Sequence, residues 1–179
     1  MEHSDEDLYF RYHRSGDLQA FNQLYERYKG ALYRFILRMI GNSATAEEVF
    51  QEVWASLIKS NQYRQGPGSF KTFVYTIARN KAIDHYRRNR IQLVSDAYVQ
   101  EEQIEESEWD GADQAQAITK AVEALPAEQK EVFLLKVEAE MSLEEIAQMG
   151  GESREAIKSR YRYAVAKIRK WVSEENNDG

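Results

Sequence analysis

The amino-acid sequence predicts an all-α protein of two small helical domains joined by a flexible acidic linker. Apolar residues recur at spacings of three and four along most of its 179 residues, which is typical of amphipathic helices. The chain has only two prolines, Pro67 and Pro126, so long helices are permitted. Residues 95–114 lack this periodicity and are rich in acidic side chains, so they are expected to join a domain at 1–94 to another at 115–179.

The first domain is predicted to contain three helices with short connections, in a small bundle. One apolar face spans 21–39. A second spans 46–58, and Thr45 and Glu48 have the spacing of a capping box at its start. A third helix is expected to begin after the N-cap Ser69.

The second domain is predicted to end in a helix-turn-helix. One helix is expected to start near Ala115, and another at Pro126, whose fixed φ suits the first helical position. Ser142 and Glu145 have the spacing of a capping box. Within 141–170 a capped helix, a glycine-bearing turn and a basic helix follow one another, and in this arrangement the second helix enters the major groove of DNA.

Charge is distributed unevenly along the chain, whose formal net charge is −6. Residues 71–90 contain six basic residues and one acidic residue, a net charge of +5. Residues 154–170 contain seven basic residues and one acidic residue, a net charge of +6. Residues 95–113 contain eight acidic residues and no lysine or arginine, a net charge of −8. The positive charge therefore lies in two patches, each of which is a candidate nucleic-acid contact.

The basic helix of the helix-turn-helix supplies the candidates for duplex DNA. Ser153 is its expected cap, and apolar residues over 156–168 form its expected inward stripe. Side chains near its start can reach base edges, while later cations hold phosphates. The candidates are Ser153, Arg154, Glu155, Lys158, Ser159, Arg160 and Arg162. A solvated charged face is the alternative, and the capped helix and turn that precede the basic helix favour DNA contact.

The helix after Ser69 mixes aromatic and basic residues, which suits unpaired nucleic acid because bases stack on rings and cations neutralise phosphates. The candidates are Phe70, Phe73, Arg79, Asn80, Lys81, Asp84, Arg87 and Arg88. Two alternatives remain open. Phe70, Phe73 and Tyr86 could equally be core residues, and Asn80 and Asp84 could form a structural hydrogen-bonded pair.

An acidic face on the second predicted helix is a candidate for binding a protein partner with a basic surface. It consists of Glu47, Glu48, Gln51 and Glu52. A solvated helix face is the alternative.

Several classes of protein are not expected. The absence of cysteine excludes disulfides and thiolate zinc sites. His3, His13 and His85 show no metal-ligand spacing, and no phosphate loop or nucleophile motif accompanies them, so neither an enzyme nor a cofactor or metal site is expected. Without a secretory signal or a long apolar run, the chain is expected to be cytoplasmic, with no membrane insertion.

Five segments in order resemble bacterial RNA polymerase sigma factors of the extracytoplasmic-function group, and the resemblance covers nearly all of 8–172 outside the linker. The segments are 16–28 (GDLQAFNQLYERY), 46–54 (AEEVFQEVW), 70–88 (FKTFVYTIARNKAIDHYRR), 124–135 (ALPAEQKEVFLL) and 157–160 (IKSR). They resemble the start of sigma region two, its polymerase-binding helix, its promoter-melting and minus-ten helix, and region four.

The resemblance implies an alternative sigma factor rather than an enzyme. Its expected partners are the largest and second-largest subunits of core RNA polymerase, promoter DNA and an anti-sigma factor. By this resemblance, the residues that would bind the clamp helices of the largest polymerase subunit are Glu48, Gln51 and Glu52. Those that would face the minus-ten element are Asn80, Asp84, Arg87 and Arg88. Those that would contact the minus-thirty-five duplex are Arg154, Lys158, Ser159 and Arg160. The loop at 62–69 would help to hold a flipped base, and the linker would pass near the polymerase active site and RNA exit channel.

A stand-alone helix-turn-helix regulator that binds duplex DNA as a dimer is the alternative function. It accounts for residues 141–170 but leaves the aromatic and basic helix after Ser69 without a role.

Overall fold

The computed structural model of the protein describes residues 2–60, 68–95 and 113–177, and every regular element in these ranges is an α-helix. The elements are α1 (Asp5–Ser15), α2 (Leu18–Ile40), α3 (Ser43–Lys59), α4 (Phe70–Ser95), α5 (Asp113–Glu123), α6 (Ala127–Val137), α7 (Leu143–Gly150) and α8 (Arg154–Asn177). The predicted all-α fold class is confirmed.

In the N-terminal unit, α1–α4, the long helix α2 contacts all three of the other helices. Its inward face follows the predicted spacing of three and four. The buried residues of α2 are Ala20, Leu24, Tyr28, Leu32, Phe35, Ile36 and Met39. This face packs against Val49, Val53 and Trp54 of α3 and Val74 and Tyr75 of α4 in one hydrophobic cluster.

The prediction of three helices in this unit was incomplete, because α1 precedes them. Ser4 caps α1 by accepting a hydrogen bond from the backbone N–H of Asp7, and Gly16 ends the helix in a left-handed conformation with φ of 66°. Leu8 and Tyr9 bury the helix against the rest of the unit. The apolar residues of α1 lie together at 8–10 and 12, over little more than one helical turn, so periodicity gives a weak signal and the capping residues give the stronger one.

The predicted capping box of Thr45 and Glu48 is wrong. α3 begins earlier, at Ser43, because Asn42 is its N-cap and its side-chain oxygen accepts from the backbone N–H of Thr45 at 3.0 Å. The expected cap at Ser69 is confirmed, since its hydroxyl accepts from the backbone N–H of Thr72 at 3.2 Å.

In the C-terminal unit, α5–α8, the long helix α8 contacts the other three helices. Pro126 is the N-cap of α6 rather than its first residue. The predicted capping box of Ser142 and Glu145 is present with both of its hydrogen bonds. The main buried residues are Val122, Leu125, Val132, Leu134, Leu135, Met141, Ile146, Ile157 and Ala164.

The two units lie against each other, with α2 in contact with α5 and α6, and α4 in contact with α7. Most of the predicted linker, residues 96–112, and most of the loop expected to hold a flipped base, residues 62–67, lie outside the described residues, so the domain boundaries stay predictions. Among the residues that are described, no helix combines the length and apolarity needed to cross a bilayer.

Candidate nucleic-acid interface

α4 has a buried side and an exposed side. Val74, Tyr75, Ala78 and Ala82 are buried in the N-terminal unit. Asn80, Asp84, Arg87 and Arg88 are exposed. Successive spacings of four, three and one residues place these four side chains on one side of the helix. The residues expected to face the minus-ten element therefore form one continuous surface, here called the α4 surface.

Phe70, one of the aromatic candidates, is a core residue. It is 1% exposed, and its ring centroid lies 5.2 Å from that of Tyr9 and 5.7 Å from that of Tyr28. Its backbone N–H donates to Glu6 Oε1 at 2.8 Å, which connects the start of α4 to α1. Phe70 could not stack on a base without leaving this core, so it is withdrawn as a DNA contact. Phe73 is half-buried and stays a proposed contact.

Two further candidates on α4, Arg79 and Lys81, have partners within the chain. Arg79 Nε forms an ion pair with Glu131 of α6, and its Nη1 donates to Asn80 Oδ1 at 3.1 Å. Lys81 Nζ lies 4.0 Å from Glu52 Oε2. Each cation would have to leave its carboxylate to bind a phosphate. Helical periodicity gave no signal for Glu131, which lies 52 residues from Arg79 in the other unit.

The acidic face of α3 is accessible. Val49, Val53 and Leu57 hold one side of the helix in the core. On the opposite side Glu47, Glu48 and Gln51 are exposed, whereas the Glu52 side chain is only 39% exposed. The predicted face is therefore one surface, here called the α3 surface, and Glu52 lies at its edge.

Glu52 belongs to a small charged cluster between α3 and α4. His85 Nε2 is buried without a hydrogen-bond partner and lies 3.4 Å from Glu52 Oε1. One ligand atom from each of Glu48, Glu52 and His85 falls within 4.8 Å of the others, a donor set that suits a divalent cation. However, the Lys81 ammonium at 4.0 Å already gives Glu52 a positive partner. The cluster is therefore best described as an ion-pair contact that joins α3 to α4.

The turn of the helix-turn-helix is defined by its capping residues. α7 ends at Gly150, and Gly151 adopts a left-handed conformation with φ of 64° while its N–H donates to the Ala147 carbonyl. The Ser153 hydroxyl then accepts from the backbone N–H of Ala156 at 3.2 Å, as expected of a cap for α8. Gly151, rather than Gly150, is the glycine that the turn requires.

We expect Gly151→Ala to lower the free energy of unfolding by about 1 kcal/mol, because an L side chain is strained at this φ. Gly150→Ala is the matched control. A Cβ at Gly150 would meet nothing closer than Glu152 at 3.8 Å, so this change should be neutral or slightly stabilising. Denaturant unfolding of both variants measures the difference, and equal stabilities would contradict this account of the turn.

α8 carries the predicted inward stripe and leaves its candidate DNA contacts outside. Ile157, Ala164 and Ile168 are buried. Ser153, Arg154, Glu155, Lys158 and Arg162 are exposed, whereas Ser159 and Arg160 are half-buried. These five exposed side chains are here called the α8 surface. They lie outside the core and can approach a groove of DNA.

Arg160 differs from its neighbours because it is engaged within the C-terminal unit. Its Nη2 donates to Glu152 Oε1 at 2.9 Å, and its Nη1 donates to the other oxygen of the same carboxylate. Arg160 Nε also lies 3.7 Å from Glu128 Oε2. The hydrogen bonds from Arg160 hold the pKa of Glu152 below its ordinary value. Arg160 therefore stabilises the turn. A phosphate that approaches Arg160 would compete with Glu152 for its guanidinium group.

Arg160→Ala is expected to weaken binding to minus-thirty-five duplex DNA about tenfold and to reduce the salt slope of log K by about one unit, as the loss of one phosphate contact should. Arg169→Ala, the same change at an exposed position near the other end of α8, is the control. Fluorescence anisotropy at several salt concentrations provides both values. Lower thermal stability with an unchanged slope would mean that Arg160 only positions the turn.

Two protein-family models match the chain, one in each helical unit. Sigma-70 region 2 matches residues 24–91, and Sigma-70, region 4 matches residues 121–170.

Among curated relatives, the chain is 30% identical over 153 residues to the ECF RNA polymerase sigma factor BldN of Streptomyces coelicolor, a match over 82% of this chain and 58% of that protein. It is 30% identical over 158 residues to the ECF RNA polymerase sigma factor SigL of Mycobacterium tuberculosis, over 84% of this chain and 88% of that one. The chain thus spans little more than half of the first relative and most of the second.

Among solved structures, the fold is similar to the sigma factor RpoE in complex with the anti-sigma factor NepR from Bartonella quintana. That match has a TM-score of 0.72 at 22% identity and covers 86% of this chain and 96% of that one. CnrH in complex with the cytosolic domain of CnrY has a TM-score of 0.68 at 22% identity and covers 95% and 97%. Together, the helical fold and these relatives define the class of this protein as a sigma factor. The chain belongs to the sigma-70 family as a member of its extracytoplasmic-function (ECF) group, the alternative sigma factors that direct transcription initiation.

Proposed function

We propose that this chain is a promoter-specificity subunit that binds core RNA polymerase through the α3 surface and DNA through the α4 and α8 surfaces. It performs no chemical step of its own and leaves RNA synthesis to core polymerase. In this role it acts in the cytoplasm, where it contacts the largest and second-largest subunits of the polymerase.

The observation that supports this proposal is that two exposed helix surfaces of different chemistry lie on separate helical units. The α8 surface follows a capped helix-turn-helix, which suits duplex DNA in the major groove. The α4 surface lies beside the half-buried Phe73 and combines arginines with an amide and a carboxylate, which suits bases that have left the duplex. A protein that only held duplex DNA would not need the second surface.

An anti-sigma factor is the proposed regulatory partner. The solved relatives with this fold, RpoE of Bartonella quintana and CnrH, are each in complex with another protein, described for RpoE as an anti-sigma factor. A partner that covers the α3 or α4 surface would prevent polymerase or promoter binding by simple exclusion.

Run-off transcription with purified core polymerase on genomic fragments tests the proposed function. We expect the chain to confer initiation at discrete start sites where core polymerase alone gives none. A folded chain that fails to do so would contradict the proposal. A two-fold dimer on palindromic DNA would instead favour a stand-alone regulator.

A further inference from the structure

The first helix, α1, lies outside the region that the Sigma-70 region 2 model matches, because that match begins at residue 24. It is nevertheless a well-defined helix, capped by Ser4 and ended by Gly16, with Leu8 and Tyr9 buried. The α3, α4 and α8 surfaces contain no residue of α1. What α1 contributes to the protein must therefore follow from the residues that it contacts.

Two side chains of α1 bind the C-terminal end of α3. The Tyr9 hydroxyl donates to the Ser60 carbonyl at 2.6 Å. His13 Nε2 lies 3.0 Å from the Leu57 carbonyl oxygen. The last carbonyls of a helix have no partner within the helix, so they are open to such contacts. The side chains of α1 therefore fix the place where α3 ends.

A third side chain of α1, Glu6, caps the start of α4. Its Oε1 accepts from the backbone N–H of Phe70, the first residue of α4, at 2.8 Å. The N–H groups of a first helical turn have no partner within the helix, and the positive end of the helix dipole favours a carboxylate there. Ser69 accepts from the N–H of Thr72 in the same turn. The first turn of α4 therefore has one local cap and one cap from α1.

Tyr9 of α1 also supports the ring of Phe73. The two ring centroids lie 6.3 Å apart with an interplanar angle of 69°, which is an edge-to-face contact. On its other neighbour in α4, Phe70, the Tyr9 ring packs at 5.2 Å. Tyr9 is only 3% exposed, so its own position is fixed by the core. Phe73 is half-buried, and the contact with Tyr9 orients a ring that is still partly exposed to solvent.

Phe73 extends the α4 surface toward the start of α4. It precedes Asn80 by seven residues, Asp84 by eleven and Arg87 by fourteen. At 3.6 residues per turn, these four side chains point within about 60° of one another. The arrangement suits a DNA strand in which one base stacks on Phe73 while phosphates meet the arginines further along the same side.

We propose that α1 is a positioning element for the contact with unpaired DNA, in which Glu6 and Tyr9 fix the first turn of α4 and so present Phe73 to a base. This inference rests on the proposed function, which supplies the DNA. In this role α1 makes no contact with DNA itself. A ring that is held in place before binding loses less freedom when a base stacks on it, so loss of its support weakens binding while the ring is still present.

The test uses holoenzyme assembled from core polymerase and the full-length chain, with two DNA probes cut from a promoter that run-off transcription has mapped. One probe is a duplex that continues into an unpaired non-template strand over the minus-ten element. The other is the same duplex without that strand. The ratio of the two dissociation constants measures the gain in affinity from the unpaired strand, because the duplex contact is common to both probes.

Glu6→Ala is expected to lower this gain about fivefold, and Phe73→Ala, which removes a stacking ring, about tenfold. Glu6→Gln should keep the gain within about twofold, because its amide oxygen still accepts from the Phe70 N–H. Asp7→Ala removes the same charge from the next position of α1, which is exposed, and should also keep the gain. A value for Glu6→Ala equal to that of Asp7→Ala would overturn the role of α1.

A double variant separates positioning from a general loss of stability. If α1 acts through Phe73, Glu6→Ala should cause little further loss in a chain that already carries Phe73→Ala. A smaller folded fraction would instead weaken the binding of both probes, and its effect would add in full to that of Phe73→Ala. Full additivity, or equal weakening on both probes, would therefore overturn the proposal.

Amide hydrogen exchange tests the positioning without polymerase or DNA. The N–H of Phe73 donates to the Ser69 carbonyl at 3.1 Å in the first turn of α4. Its exchange should be several-fold faster in Glu6→Ala than in the parent chain or in Glu6→Gln. Unchanged exchange in Glu6→Ala would overturn the positioning role whatever the DNA result. If run-off transcription yields no promoter while this exchange still rises, the proposed function fails and the support of α4 by α1 stands.

Discussion

Replacing Arg87 and Arg88 together with glutamate is expected to reduce promoter-dependent transcription about 100-fold or more. Both side chains are exposed on the α4 surface beside Asn80 and Asp84. Each lost hydrogen bond from a cation to a phosphate or base is worth about 1.5–3 kcal/mol, and the new carboxylates repel the DNA backbone. Because neither arginine is buried, the free energy of unfolding should change by less than about 0.5 kcal/mol each.

The measurement is run-off transcription with saturating factor, accompanied by an assay of core-polymerase binding. Binding to core should be retained, which distinguishes a DNA defect from loss of assembly. Arg14→Glu combined with Lys29→Glu is the control, because it makes the same change of charge at exposed positions on α1 and α2. If the control loses as much activity as the α4 variant, general charge rather than the α4 surface is responsible.

Gln51→Lys is expected to weaken binding to core polymerase by about tenfold or more. Gln51 is exposed on the α3 surface between Glu48 and Glu52, where a lysine would meet a basic partner surface. Like charges brought together at an interface cost several kcal/mol. Gln51 is a better site than Glu52, because Glu52 also contacts Lys81 and His85 and its replacement would disturb the packing of α3 on α4.

Gln23→Lys on α2 makes the identical chemical change at another exposed position and should bind core normally. Titration of labelled core polymerase measures both dissociation constants. Transcription by Gln51→Lys should recover at high factor concentration, since a weakened binding equilibrium can be overcome by mass action. Equal affinities of the two lysine variants for core polymerase would show that the α3 surface does not contact the polymerase.

The features predicted correctly from the sequence depend on residues a few positions apart. The capping box of Ser142 and Glu145 and the caps at Ser69 and Ser153 are bonds between residues three apart. The inward stripe of α8 depends on helical periodicity alone. Such features are visible in one dimension because a helix brings i, i+3 and i+4 together whatever surrounds it.

The predictions that were wrong, and the features that were missed, involve residues that compete for the same role or residues whose partners are distant in the sequence. Asn42 and Thr45 both lie where a cap could form, and Asn42 forms it. Phe70 has the same aromatic character as a base-stacking residue, and its packing against Tyr9 and Tyr28 shows that it belongs to the core. The spacing of four from Phe70 to Val74, and on to the buried alanines at 78 and 82, was a signal in the sequence that Phe70 lies on the buried face of α4.

The sequence is sufficient to predict that this protein is helical, that its positive charge lies in two patches, and that one patch follows a helix-turn-helix. These properties arise from composition, spacing and local hydrogen bonds. Which of the basic residues are exposed and which are paired depends on the packing of the folded chain. Glu131 meets Arg79 across 52 residues, and Glu138 meets Arg38 across 100. The pairing of such charges depends on how two packed units share a surface, and that surface exists only after each unit has folded.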